Sequence, residues 1–142
     1  KVKISDLIKI NFDKVNDKKT INIKKNFEES EPEIIFKDEI MYALGNIIQN
    51  AVTYSINEVN AEIIYSKNQV IIKISDDGKG FSKEIIDKLG EPYISKNNQG
   101  MGLGIFIAKN LIENMGGNIK FNNLKDTKAL VEITFDNSIL KI

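Results

Sequence analysis

The chain has 142 residues, 42% of them hydrophobic and 28% charged, the composition of one soluble globular domain large enough for a core. Acidic and basic side chains balance to a formal charge of zero, without the basic surplus of a general nucleic-acid or membrane-surface binder. It has no cysteine and no histidine, which excludes disulfides, thiolate metal sites, an imidazole base and any phosphohistidine of its own. No apolar run reaches the length of a membrane span, and no signal peptide is visible. The sequence opens at Lys1 without an initiator methionine, so residues 1–142 read as a single domain cut from a longer protein.

From the amino terminus, Ile4, Leu7, Ile8, Phe12 and Val15 recur at helical spacing, with Ser5 placed as an N-cap of a helix reaching about Lys18. Residues 20–26 alternate around Ile21 and Ile23 and predict a strand. Glu28 to Pro32 reads as an acidic loop, Glu33 to Phe36 as a short strand, and Asp38 as the cap of a long helix ending near Ile56. Residues 61–66 and 69–75 predict a hairpin turning at Lys67-Asn68, with Val70, Ile72 and Ile74 on one face. A short helix over 82–89 leads into a polar loop over 90–99. Leu103, Ile107 and Leu111 then mark a helix to Met115 that Gly116-Gly117 stops. Strands at 118–122 and 129–135 complete the chain. The pattern predicts an α/β two-layer sandwich, a mixed sheet covered by helices on one face.

Three features carry chemistry. On the long helix, at about 100° per residue, Glu39, Tyr42, Asn46, Asn50, Thr53 and Asn57 share an arc opposite Ile40, Leu44, Ile47, Ile48 and Ala51. Alone, such an arc is a solvated face. Next to a nucleotide cleft it would line it, and a neutral amide oxygen such as that of Asn50 suits Mg²⁺. Asp76-Asp77-Gly78-Lys79-Gly80 follows a strand. As a lone signal it is an ordinary Asp-Gly turn; in a pocket, Asp76 could accept a hydrogen bond from adenine N6, with Gly78 and Gly80 letting the backbone close on the base. Gly100-Met101-Gly102-Leu103-Gly104 opens a helix, where backbone N–H groups can meet phosphate oxygens. The loop before it could close as a lid, and Lys96 within it could reach a phosphate or be plain solvated surface.

In order and spacing these segments resemble sensor histidine kinases. Phe36-Lys37-Asp38-Glu39 with Asn46-Ile47-Ile48-Gln49-Asn50-Ala51 is similar to their N box, Asp76 to Phe81 to the G1 box, Glu91-Pro92-Tyr93 to the F box, and Gly100 to Gly104 to the G2 box. Leu89 to Tyr93 together with Gly104 to Lys109 further resembles the RegB-type kinases. The resemblance covers residues 4–135 and implies the Bergerat fold, a mostly antiparallel mixed sheet under helices, with ATP and Mg²⁺ as cofactors. It also implies roles. Asn46 and Asn50 would be the catalytic amides, Asn50 on Mg²⁺ and Asn46 on phosphate or the metal's water shell. Tyr54 would lie near the nucleotide. Asp76 would read adenine, Gly78 and Gly80 would shape its pocket, and Gly100, Gly102, Leu103 and Gly104 would hinge the lid and meet the phosphates. The implied partners are a histidine-bearing dimerisation domain, absent from this chain, and indirectly a response regulator. No nucleic acid or membrane contact is implied for this piece, and the expected location is the cytoplasm, the parent being either soluble or anchored in the inner membrane.

Two departures stand out. Thr53 replaces the Lys or Arg that the family often has there, and Thr127-Lys128-Ala129 replaces a Gly-Thr pattern. Hydrolases and serine kinases of the superfamily carry a glutamate where this chain has Asn46, and a neutral amide cannot deprotonate a nucleophile. The expectation is therefore transfer of the ATP γ-phosphoryl to a histidine elsewhere. The rival readings are an ATPase or protein-serine kinase of the same fold, or a non-catalytic ATP-binding interaction module.

Overall fold

A computed structural model describes residues 1–15, 18–27, 30–89, 101–124 and 128–142. In chain order its elements are α1 (Ile4–Val15), β1 (Thr20–Asn26), α2 (Asp38–Tyr54), β2 (Glu58–Tyr65), β3 (Gln69–Asp76), α3 (Lys83–Leu89), α4 (Met101–Asn114), β4 (Asn118–Asn123), β5 (Ala129–Asp136) and α5 (Asn137–Leu140). The strands form one sheet in the order β1-β2-β3-β5-β4. β1 runs parallel to β2, and every other pairing is antiparallel.

Strict alternation in β3 and β5 sends Val70, Ile72, Ile74, Ala129, Val131, Ile133 and Phe135 into the core. There they meet the apolar stripes of α1 (Ile4, Leu7, Ile8, Phe12) and α2 (Ile40, Leu44, Ile47, Ile48, Ala51), and Ile105, Ala108 and Ile112 of α4. The opposite sheet face is partly exposed. One row across all five strands reads Lys24, Glu62, Lys73, Glu132, Lys120, so the charge alternates at every step. The α/β two-layer architecture expected from the pattern is thus present.

Several local expectations are corrected. Ser5 is not the cap of α1 but lies inside it, and Glu31 supplies the acceptor: its carboxylate takes the Ser5 N–H at 3.0 Å and the Ser5 hydroxyl. A carboxylate at a helix N-terminus satisfies an orphan donor and complements the dipole. Lys25 stands 3.7 Å from the same carboxylate, and the Tyr65 hydroxyl donates to it at 3.4 Å. Burial, then the charge and hydrogen bond of Glu31, push the Tyr65 phenol above its ordinary range. Residues 33–36 form no strand; only the bridge Val2–Ile34 remains, because no neighbouring strand lies there to extend it. Lys37, not Asp38, occupies the N-cap position of α2 and makes no side-chain cap hydrogen bond; Asp38 and Glu39 lie in the positive first turn. That helix stops at Tyr54, since Ser55 turns to extended backbone and its hydroxyl takes up the Val52 carbonyl at 2.8 Å. Asn57 therefore lies outside the helix and off its polar arc. β2 begins at Glu58, three residues before the expected start, and α5 adds a short helix beyond the predicted last strand. No helix among the described residues is long and apolar enough to cross a membrane.

Candidate nucleotide site

The polar arc of α2 faces the start of α4 across a cleft of about 250 Å³. Asn46, Gln49, Asn50, Thr53 and Tyr54 line it from α2, Gly104 and Ile105 from α4. Gly104 faces Asn46 across the cleft: a methyl group there would meet the Asn46 side chain at an ordinary contact of 3.7 Å. A separate, larger groove of about 630 Å³ between α1, α2 and α4 shares Asn46 and Gln49 of this lining.

The Asn46 amide nitrogen is buried and has no hydrogen-bond partner among the described residues. An unpaired buried donor costs about 1–3 kcal/mol, so it is a poor structural choice and a good ligand contact. It asks for an acceptor oxygen, which phosphate supplies. Asn50, one turn on, offers the oxygen-donor chemistry that Mg²⁺ takes, so the residues present fit both groups.

A second group of candidate residues lies where β3 ends. Asp76 is the last residue of that strand, not the first after it, and is only 5% exposed. Its Oδ1 accepts the Gly78 N–H at 2.8 Å. Burial pushes its carboxyl above the ordinary range; the Gly78 N–H pulls it back, the Asp77 charge raises it and the Lys19 charge lowers it. Gly78 packs against the backbone carbonyl of Tyr54, leaving no space for a side chain. Gly80 has φ 80°, which glycine alone adopts freely. Tyr54 joins the two groups, since it lines the cleft while its carbonyl rests on Gly78.

Asn46, Asn50, Tyr54 and Gly104 are thus brought to one cleft, with Asp76, Gly78 and Gly80 on the segment packed against its end. Gly102 and Leu103 lie in the first turn of α4, which begins at Met101 rather than Leu103. Lys96, Gly100 and the Glu91-Pro92-Tyr93 segment lie outside the described residues. Thr53 lines the cleft where the family often has a cation, and no described lining residue is basic.

Four contributors were not singled out from the sequence. Gln49 and Ile105 complete the lining. Asn123 holds the segment after Gly80 like a short strand: it accepts the Phe81 N–H at 2.8 Å and donates to the Phe81 carbonyl at 2.7 Å. Asp77 accepts from the Ile56, Asn57 and Glu58 N–H groups, at 2.7, 3.0 and 3.2 Å. Partial desolvation acts upward on its carboxyl, but those amides together hold it below the ordinary range. Only the turn-forming habit of Asp hinted at this, and it does not name a distant partner.

Residues 36–139 match the family described as histidine kinase-, DNA gyrase B- and HSP90-like ATPases. The sensor histidine kinase RegB of Cereibacter sphaeroides is 34% identical over 110 residues, covering 70% of this chain and 24% of RegB. Sporulation kinase A of Bacillus subtilis is 28% identical over 101 residues, 70% of this chain and 17% of that kinase. The chain therefore spans about a quarter or less of the length of these relatives. The structure of the mycobacterial sensor histidine kinase MprB superposes with a TM-score of 0.76 over 95% of both chains at 16% identity, which shows the same fold. The chain belongs to the family of histidine kinase-, DNA gyrase B- and HSP90-like ATPases, as an ATP-binding domain homologous to those of sensor histidine kinases.

Proposed function

We propose that residues 1–142 form the single catalytic domain of a larger two-component sensor kinase. It binds Mg-ATP and passes the γ-phosphoryl to a histidine on a separate dimerisation domain, from which a response regulator is served. The observation that carries this is the unpaired, buried Asn46 amide in a cleft whose described lining holds no carboxylate. A hydrolase needs a base there to activate water. An imidazole is already nucleophilic, so this chain has only to position ATP and spread the phosphate charge.

In this reading Asp76 accepts the adenine amine, with Gly78 and Gly80 letting the backbone approach the ring and Tyr54 beside it. Asn50 and Asn46 stand under the triphosphate. Gly100, Gly102, Leu103 and Gly104 present backbone to the phosphates, and Lys96 takes the role of the cation absent at Thr53. Bound Mg²⁺ would supply charge neutralisation at the phosphate oxygens. The domain works in the cytoplasm, whether its parent is soluble or anchored in the inner membrane.

The deciding assay mixes the chain with a histidine-bearing dimerisation domain and γ-labelled ATP. Label on that histidine, and none on this chain, is expected. Steady release of inorganic phosphate with no labelled histidine would instead favour a hydrolase. A second expectation concerns the metal: Asn50→Ala removes the Mg²⁺ dependence of ATP affinity while leaving metal-free binding within about twofold, because only the cation's oxygen ligand is lost. Calorimetry with and without Mg²⁺ reads this, and retained dependence would place the metal elsewhere.

A further inference from the structure

The turn between α2 and β2 is gripped from two sides. The Lys19 ammonium donates to the Ser55 carbonyl, and the Asp77 carboxylate collects the N–H groups of Ile56, Asn57 and Glu58. Three backbone amides converging on one carboxylate make a strong, charge-assisted anchor. Asp77 lies between Asp76 and Gly78, and the turn it holds directly follows Tyr54, whose carbonyl rests on Gly78. Its grip therefore closes a short loop of contacts: α2 end, turn, Asp77, Gly78, α2 end. Next to it, the N–H of the same Gly78 fixes one oxygen of Asp76 at 2.8 Å.

From this closed circuit we infer that Asp77, assisted by Lys19, is a positioning residue for base recognition: it sets the spacing between the Tyr54 carbonyl and the Asp76 carboxylate, and so the selectivity for a purine carrying an exocyclic amine. The inference rests on the ATP-binding reading above. Asp77 points its carboxylate at the turn, so it acts through Asp76 and Tyr54 and not by touching nucleotide.

The test compares affinities for ATP and inosine triphosphate, which has a carbonyl in place of the adenine amine. A general loss of structure weakens both alike and leaves their ratio unchanged; a misplaced Asp76 compresses the ratio. Asp77→Ala is expected to lower the ATP preference about tenfold, the low end of what one charged hydrogen bond is worth, because Asp76 is displaced and not removed. Asp77→Asn keeps an amide oxygen for Ile56 and Asn57 and should hold the preference within about threefold of the parent chain. Lys19→Met retains the apolar stem, loses the donor to Ser55, and should give a smaller loss of the same kind. Should Asp77→Ala fail to fold, Lys19→Met carries the comparison, with Asp77→Asn as its conservative control. An unchanged ratio in Asp77→Ala, or in Lys19→Met where the alanine variant does not fold, overturns the inference. A parent chain that binds neither nucleotide overturns the functional reading on which it stands.

Discussion

Asp76→Asn should weaken ATP binding by about 10- to 150-fold and, at neutral pH, raise the melting temperature of the nucleotide-free chain. The affinity range is that of one hydrogen bond to a buried charged group, about 1.5–3 kcal/mol. The asparagine oxygen can still accept the Gly78 N–H, so the local turn survives. Its amide nitrogen is a donor, however, and would meet the adenine amine donor to donor. The stability change follows from the sign of the shift. Burial holds the Asp76 carboxyl above its ordinary, unfolded value. The folded state therefore keeps this proton to higher pH than the unfolded chain does. The stabilising contribution is complete in acid and is lost as pH rises through the folded-state value. At neutral pH the free protein thus carries a buried carboxylate that favours unfolding, and a neutral amide removes that liability. Thermal melts across a pH series should show the advantage of the asparagine variant growing from acid to neutral. A variant that loses ATP and stability together would mark Asp76 as a structural residue.

Gly78→Ala should have the largest combined effect. A β-carbon there would overlap the Tyr54 backbone carbonyl and stand 2.8 Å from Asp76 Oδ1. The carbonyl is backbone, and Asp76 Oδ1, although a side-chain end, is held in place by the Gly78 N–H at 2.8 Å. Either the last turn of α2 shifts or the segment after β3 backs away, at an overpacking cost of about 1–3 kcal/mol. Both movements also open the junction between Asp76 and Tyr54, so ATP affinity should fall at least tenfold, that is by about 1.4 kcal/mol or more. Gly104→Ala is the contrasting control. Its added methyl meets Asn46 at an ordinary 3.7 Å. In a helix, glycine to alanine gains up to about 1 kcal/mol, so the fold should hold or stabilise. A loss of ATP affinity in Gly104→Ala without loss of stability would locate the phosphates at the start of α4. Equal behaviour of the two variants in melts would contradict the packing described at Gly78.

The long helix and the inner strands were legible because burial imposes a period. Ile40, Leu44, Ile47, Ile48 and Ala51 repeat as a helix must, and Val70, Ile72, Ile74 as a half-buried strand must. The cleft residues on α2 followed from the same geometry, since one helical face carries both amides. Partners distant along the chain were not legible. Glu31 caps a helix that begins 27 residues before it, and no local motif announces that. Residues 33–36 have strand-like composition but only Val2 to pair with. Conversely, Glu58 to Asn60 join β2 because β1 pairs alongside them, Thr20 against Glu58. Asp77 was readable as a turn former and not as the acceptor of three remote amides.

In the proposed binding mode, adenine and metal are held by opposite ends of one site joined through Tyr54. Its most direct measurement is a crystal structure of the chain with Mg²⁺ and a non-hydrolysable ATP analogue. The adenine amine is expected within hydrogen-bond distance of Asp76 and the cation on the Asn50 amide oxygen, with phosphate against Asn46. Nucleotide seated on the open sheet face, or a cation bound away from α2, would contradict it.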